Sequence, residues 1–316
     1  MTSNRTPPHR QEPRTGASGE GVLTRESYAR PAAALFDRFP APGLVLVGIA
    51  SVQVGAAFAT KLFVHLGPAG TVLLRVLFAA VVLWAVWRPR PRAHSARELR
   101  LAALFGLSLA LMNLSFYEAI DRIHLGVAVT LEFVGPLGVA LAGSRSRLDV
   151  LWALLAAAGV ALLGGVSAAS LTGVLLALLA GAFWAAYILL NARVGRAFSG
   201  GDGLAIAMAI ATLPLIPFGI ADAGANLLHP AYLAVGFAVA MLSSVVPYSL
   251  ELEALRRIRP QTFGVLMSLE PAMAALAGLV VIGQDLSALD VVGIALVITA
   301  SAGATLGTRA PAPVDA

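Results

Sequence analysis

Five polar side chains stand inside long apolar runs: Gln53, Arg75, Asn113, Glu132 and Glu270. Polar groups at membrane depth are rare and usually face a cavity or a partner. Glu132 lies near the middle of its run, where an acid costs about 2.5–3.5 kcal/mol on insertion scales. Desolvation disfavours the charged carboxylate. The group is therefore suited either to carrying a proton or to bonding a neighbouring helix as a neutral acid. Pro136 follows four residues later and has no N–H, so the Glu132 carbonyl loses its helical donor. A carboxyl and a free carbonyl then coincide at one depth, an arrangement tolerated where a broken helix lines a polar cavity. Glu270 and Pro271 form a second such site, in which Pro271 releases the carbonyl of Met267; a helix-breaking structural role is the alternative for this pair.

The other candidates carry two readings each. Arg75 either snorkels to headgroups or pairs with a carboxylate, that of Glu132 or of a substrate, for which a planar guanidinium is well shaped. Gln53 and Asn113 bond either a substrate or a neighbouring helix, the latter at about 0.6 kcal/mol each. Tyr117, Trp184 and Tyr187 are interface anchors or cavity-lining rings, and Phe116 and Tyr248 read as interface anchors. Glu251 and Glu253, beside Arg256, Arg257 and Arg259, read as a solvated salt network.

What must position these groups is a set of membrane helices. The chain has 316 residues, 58% hydrophobic and 12% charged, against about 25% charged in soluble domains. Ten apolar stretches follow one another, at 44–60, 68–87, 101–119, 125–143, 149–167, 171–190, 203–220, 231–250, 261–282 and 288–307. Each is long enough to cross a hydrocarbon core of about 30 Å, and helices satisfy the backbone there. With ten spans, 19 Lys and Arg residues fall on one side and two, Lys61 and Arg122, on the other. The positive-inside rule then places both termini in the cytoplasm.

An internal repeat divides the spans. Glu118-Ala-Ile-Asp-Arg-Ile-His124 matches Glu253-Ala-Leu-Arg-Arg-Ile-Arg259, and the same spacing carries Pro136 to Pro271 and Gly143 to Gly278, while Glu132 falls on Met267. Five spans per half is an odd number, so the second half enters the membrane upside down. The expectation is an all-α membrane protein: a disordered cytoplasmic tail at 1–42, a five-helix repeat at 43–167, an inverted five-helix repeat at 168–307 and a short cytoplasmic tail at 308–316. Inverted repeats are the usual architecture of alternating-access transporters. The stretch Gly303-Ala-Thr-Leu-Gly307 allows close helix packing, within the chain or in a homodimer.

Other classes fit poorly. There is no cysteine, so thiolate chemistry and disulfides are excluded. The five histidines lack ligand spacing, and neither a phosphate-binding loop nor a nucleophile elbow is present, so no enzyme, metal or cofactor is expected. The net charge of +5 is dispersed between apolar segments rather than gathered on one face, which argues against nucleic acid. A solute channel remains as a rival that needs no alternating access.

Several motifs resemble the drug/metabolite transporter superfamily (EamA-type), in particular its bacterial threonine/homoserine exporter branch. They are Ser51-Val-Gln-Val-Gly-Ala, Leu74-Arg75, the run from Leu125 to Leu137, Pro247-Tyr-Ser-Leu-Glu251 and Thr262-Phe-Gly-Val-Leu-Met-Ser-Leu-Glu-Pro-Ala272. The resemblance spans roughly residues 43 to 307. It implies proton-coupled export of small neutral amino acids across the inner membrane, or of another solute such as a purine, drug or sugar conjugate. It also implies a central cavity lined by spans one to four and six to nine, with five and ten outside it. Gln53, Arg75, Glu132, Glu251 and Glu270 fall inside the matching motifs. Glu118 and Gly283-Gln284-Asp285 depart from the pattern, where a neutral residue and Gly-Glu are expected.

Overall fold

The computed structural model describes residues 39–142, 148–163, 168–198, 201–255, 257–258 and 260–307. Residues 1–38 of the expected tail at 1–42, the expected tail at 308–316, residues 144–147 of the basic loop at 144–148, and Arg256 and Arg259 lie outside them. Among the described residues the chain is helical, without strands.

The helices are α1 (Ala41–Thr60), α2 (Phe63–Trp87), α3 (Ala96–Ile120), α4 (Leu125–Glu132), α5 (Val134–Ala142), α6 (Leu148–Leu163), α7 (Ala168–Ala197), α8 (Asp202–Ala223), α9 (Pro230–Ala240), α10 (Val246–Leu255), α11 (Pro260–Met267), α12 (Glu270–Ala277) and α13 (Ala288–Gly307). Among the described residues, eight segments are long and apolar enough to cross a membrane; the runs 125–139 and 150–162 form shorter apolar helices. Large side chains such as Leu104, Leu154, Leu213 and Val280 are more than half exposed, at 57%, 64%, 62% and 73%. An outer surface of this kind suits lipid rather than water.

Polar residues cap two of the helix starts. Ser95 and Glu98 form a reciprocal capping box, so α3 starts five residues before its apolar run at Leu101. Ser287 and Asp290 do the same at the start of α13. Within α2 the backbone breaks at Gly67, whose φ of 63° places it in the left-handed region, just before Pro68. Asp222 of α8 caps the released turn by accepting from the Ala69 N–H at 3.0 Å.

The breaks in the fourth and ninth apolar stretches keep one register. α4 runs from Leu125 to Glu132 and α11 from Pro260 to Met267, both of eight residues. The spacing that carries Pro136 to Pro271 carries each end of α4 onto the matching end of α11. Proline removes the donor that would continue the helix, which accounts for both interruptions.

Packing repeats the same relation. α2 packs on α8, α6 on α13 and α4 on α12; α3 packs on α7 as α10 packs on α1, and α3 on α8 as α9 packs on α2. Exchanging the five apolar stretches of residues 41–163 for the five of residues 168–307, in order, with α4 and α5 taken together and likewise α9 with α10 and α11 with α12, returns each of these pairings to one in the set. Gly303 lies against the Trp152 indole of α6, so this small residue serves packing within the chain.

Candidate functional site

α1 and α10 are drawn together by small residues. A Cβ at Gly55 would run into the Ser243 hydroxyl, and Ser51 Oγ donates to the Leu242 carbonyl at 2.7 Å. Ser243 lies in a π-helical turn, Met241–Val245, between α9 and α10. Such turns leave carbonyls without their α-helical donor and are frequent at functional sites. The Ser243 carbonyl accepts from Arg75 Nη2 at 3.0 Å. Arg75 Nε donates to Ser244 Oγ at 3.2 Å and Nη1 to the Tyr117 hydroxyl at 3.1 Å. Arg75 is therefore held deep inside the bundle by three neutral acceptors and is 7% exposed. The sequence reading of snorkelling does not describe it. Among the described residues no carboxylate lies within 4.0 Å of its guanidinium, so the pair with Glu132 is not formed either.

α4, α5 and α7 are brought equally close. A Cβ at Gly135 would run into the Gly181 carbonyl, and one at Gly181 into the Glu132 carbonyl. This contact fixes Glu132 at the break between α4 and α5. Trp184 of α7 packs edge-on against Phe133 at 5.3 Å, and Tyr187 stacks on Phe105 at 5.0 Å.

These walls enclose a cavity of about 480 Å³. Of the sequence candidates, Gln53, Arg75, Asn113, Glu132, Pro136, Trp184, Tyr187 and Glu270 line it. Tyr117 and Pro271 do not. Tyr117 is fully buried and bonds Arg75, and Pro271 is buried beside Glu270 at the start of α12. The cavity runs from Phe116 and Val129 in the middle of the bundle to Asn191, Glu251 and Thr305 near the ends of α7, α10 and α13. Towards the opposite end, Leu62, Leu66, Tyr117, Ile120 and Leu125 belong to one buried apolar cluster.

Some lining residues were read differently from the sequence. Glu251 and Tyr248 line the cavity rather than a solvated salt network and an interface. Their spacing of three residues on α10 puts them on one helix face, a signal the sequence carried. The side chain of Glu253 lies outside the described residues. Ser301 and Thr305 of α13 also reach the cavity, so this helix is not wholly outside it. Ser268 donates to Ser301 at 3.0 Å and ties α13 to the break before α12. At the other end of the bundle, Gln284 accepts from the Leu125 N–H at 3.0 Å and caps α4. Glu118 pairs with Arg122 at 2.7 Å.

The arrangement places one guanidinium and three carboxyl groups, on α4, α10 and α12, around a single cavity with neutral amide and hydroxyl groups between them. Among the described residues no cluster of His, Asp or Glu has the geometry to hold a metal ion.

Comparison with known proteins gives the same direction. Residues 171–306 match the EamA-like transporter family. The chain is 44% identical over 271 residues to the threonine/homoserine exporter RhtA of Escherichia coli (strain K12), which covers 84% of this chain and 91% of the relative. Identity to the protein of that name from Salmonella typhimurium (strain LT2) is 43% over the same coverage. A solved crystal structure superimposes with a TM-score of 0.58 over 84% of this chain and 98% of its own, at 18% identity, a likeness of fold alone. With this identity over most of both chains, the chain belongs to the EamA-like family of membrane transporters.

Proposed function

We propose that the protein is a secondary active exporter of small neutral amino acids across the inner membrane, working by proton antiport with alternating access. The carrying observation is the buried Arg75, free of any carboxylate among the described residues, in one cavity with Glu132, Glu251 and Glu270. A zwitterion suits such a cavity. Its carboxylate bonds the guanidinium, which presents donors in a rigid fork, and its ammonium faces the carboxyl side. The name of the curated relatives, threonine/homoserine exporter, agrees with a substrate of this chemistry.

In this reading the chain crosses the membrane ten times, in two inverted five-helix repeats with both termini in the cytoplasm. The repeated sequence, the matched registers of α4 and α11 and the pairings preserved on exchange of halves all support it. Arg193 and Arg196 follow Asn191 along α7, on the side that the charge bias assigns to the cytoplasm, so this conformation would receive substrate from there. Glu132 takes up a proton from the outer side as substrate leaves the cavity there, and gives it up to the cytoplasm as the next substrate binds. The broken turns at Pro136 and Pro271 let the two halves exchange shapes about the cavity.

The test is transport by the purified protein in proteoliposomes. An imposed pH gradient should drive amino-acid uptake against its concentration, and unlabelled substrate inside should accelerate entry of labelled substrate. Glu132→Gln should abolish the response to the gradient while substrate exchange persists. Full gradient-driven uptake by that variant removes Glu132 from the proton's path, and absence of counterflow in the native protein returns the reading to a channel.

A further inference from the structure

We propose that a cleft between α7 and α8, at the outer end of the bundle, binds one phospholipid whose headgroup carries a primary ammonium beside its phosphate. The cleft takes its leaflet from the orientation proposed above and is otherwise independent of the transport reading.

α7 and α8 both pack along α3 but scarcely on each other. They leave a cleft of about 420 Å³ at the end of the bundle away from Asn191, with no lining residue in common with the central cavity. Leu114 of α3, Leu176 of α7 and Phe218 of α8 line it. Leu171 and Leu175, ahead of Leu176, and Ile220, after Phe218, are 58%, 58% and 54% exposed. Both walls thus carry large apolar side chains outward, a surface suited to lipid.

The polar lining is ordered by depth. Ser115 and Glu118 are three residues apart on α3, hence on one helix face, and Arg122 follows in the turn after that helix. On α8, Asp222 follows Phe218 by four residues. Both helices therefore pass from apolar side chains to charge towards their outer ends. A phospholipid runs the same way, from acyl chains through esters to the headgroup. Ser115 sits about 4.5 Å inside Glu118 along the helix axis, at the level of the esters. It is 7% exposed, lines the cleft, and makes no side-chain hydrogen bond among the described residues. Buried hydroxyls are ordinarily partnered, and an ester or phosphate oxygen would accept from this one.

The charges name the headgroup. Arg122 Nη1 donates to the Glu118 carboxylate at 2.7 Å and to the Glu118 carbonyl. Its Nε and Nη2 meet no acceptor among the described residues. Asp222 accepts from the Ala69 N–H through Oδ2 and forms no ion pair among the described residues, which leaves Oδ1 open to a ligand. Two carboxylates against one guanidinium give the cleft an excess of negative charge, and Asp121, 3.9 Å from Arg122 Nη1, adds to it. An anionic headgroup is repelled. An ammonium answers Glu118 and Asp222 through charge-assisted hydrogen bonds, and the phosphate beside it accepts from the open Arg122 nitrogens. A trimethylated ammonium has no N–H and makes none of the former bonds, so the cleft selects the primary amine.

The experiment is native mass spectrometry of the full chain released from nanodiscs. These hold equal amounts of phosphatidylethanolamine, its N,N-dimethyl derivative, phosphatidylcholine and phosphatidylglycerol with identical acyl chains. One phosphatidylethanolamine should be retained per chain, about fivefold above phosphatidylcholine and phosphatidylglycerol, with the dimethyl lipid between. Asp222→Asn keeps an oxygen for the Ala69 N–H, and Glu118→Gln keeps one for Arg122; each should lower the preference about twofold, and the double variant should bring it to about one. Ser115→Ala should reduce retention of every headgroup without changing the ratio. A native ratio near one, a preference for phosphatidylglycerol, or a preference that survives the double variant overturns the site. Gel filtration reports assembly, and failure of all the variants to assemble makes these groups structural and overturns it too. The chain has no cysteine, so Asp121→Cys supplies a single thiol beside the cleft. A membrane-impermeant maleimide should label it in intact spheroplasts. Labelling only after lysis overturns the outer placement together with the proposed orientation, whereas loss of the lipid preference overturns the site alone.

Discussion

The sharpest prediction concerns the coupling of Tyr117 to Arg75. The Tyr117 hydroxyl accepts from Nη1 at 3.1 Å, and the guanidinium lies 5.3 Å over the same ring. A hydrogen bond to a charged group contributes about 1.5–3 kcal/mol. Tyr117→Phe should destabilise the protein by that amount, near the lower figure because one face of Arg75 borders the cavity. Arg75→Met should cost more, since it strands the Ser243 carbonyl, the Ser244 hydroxyl and the Tyr117 hydroxyl together. In the Met background the tyrosine hydroxyl has already lost its donor, so adding Tyr117→Phe should cost little or restore stability. Unfolding of the detergent-solubilised chain by titration with a denaturing detergent, on all four proteins of the cycle, measures the coupling. We expect about 1.5–3 kcal/mol. Additivity within about 0.5 kcal/mol, the ordinary behaviour of independent sites, would refute the claim that Tyr117 acts through Arg75.

Further outcomes follow from single contacts. Gly55→Ala would place a methyl group against the Ser243 hydroxyl and 3.0 Å from Leu242 Cβ; the overpacking should cost about 1–3 kcal/mol and lower the thermal stability of the purified protein. Gln284→Leu removes the acceptor that caps α4 and should cost about 1 kcal/mol in the same denaturation assay. Gln284→Glu keeps the acceptor and adds negative charge at a helix N-terminus, so it should be neutral or stabilising by about 0.3–1 kcal/mol. Glu118→Gln breaks a partly exposed pair one helical turn apart on α3 and should change stability by no more than about 0.5 kcal/mol.

The class of protein, the two helix breaks ahead of Pro136 and Pro271, and eight of the residues that meet in the cavity were legible in the sequence. Length and hydrophobicity leave few alternatives in lipid, where backbone groups must be satisfied within each segment. Proline lacks a donor wherever it stands, so the interruptions after Glu132 and Met267 were legible from Pro136 and Pro271 alone. Rare polar residues in apolar runs cost too much to be incidental, which singled out Gln53, Arg75, Asn113, Glu132 and Glu270. Which atoms face which depended on packing. Arg75 could have sought headgroups or Glu132, and it is the π-helical turn at Met241–Val245, pressed against Gly55, that brings the Ser243 carbonyl and Ser244 hydroxyl within its reach. Glu251 carried surface-like neighbours in sequence, yet the close approach of α1 at Gly48 turns its face of α10 inward. Tyr117 and the caps supplied by Asp222 and Gln284 act on partners far along the chain. Periodicity reports a residue's depth and its helix face; the identity of the partner depends on how closely neighbouring backbones approach, and that distance is set by packing between segments distant in sequence.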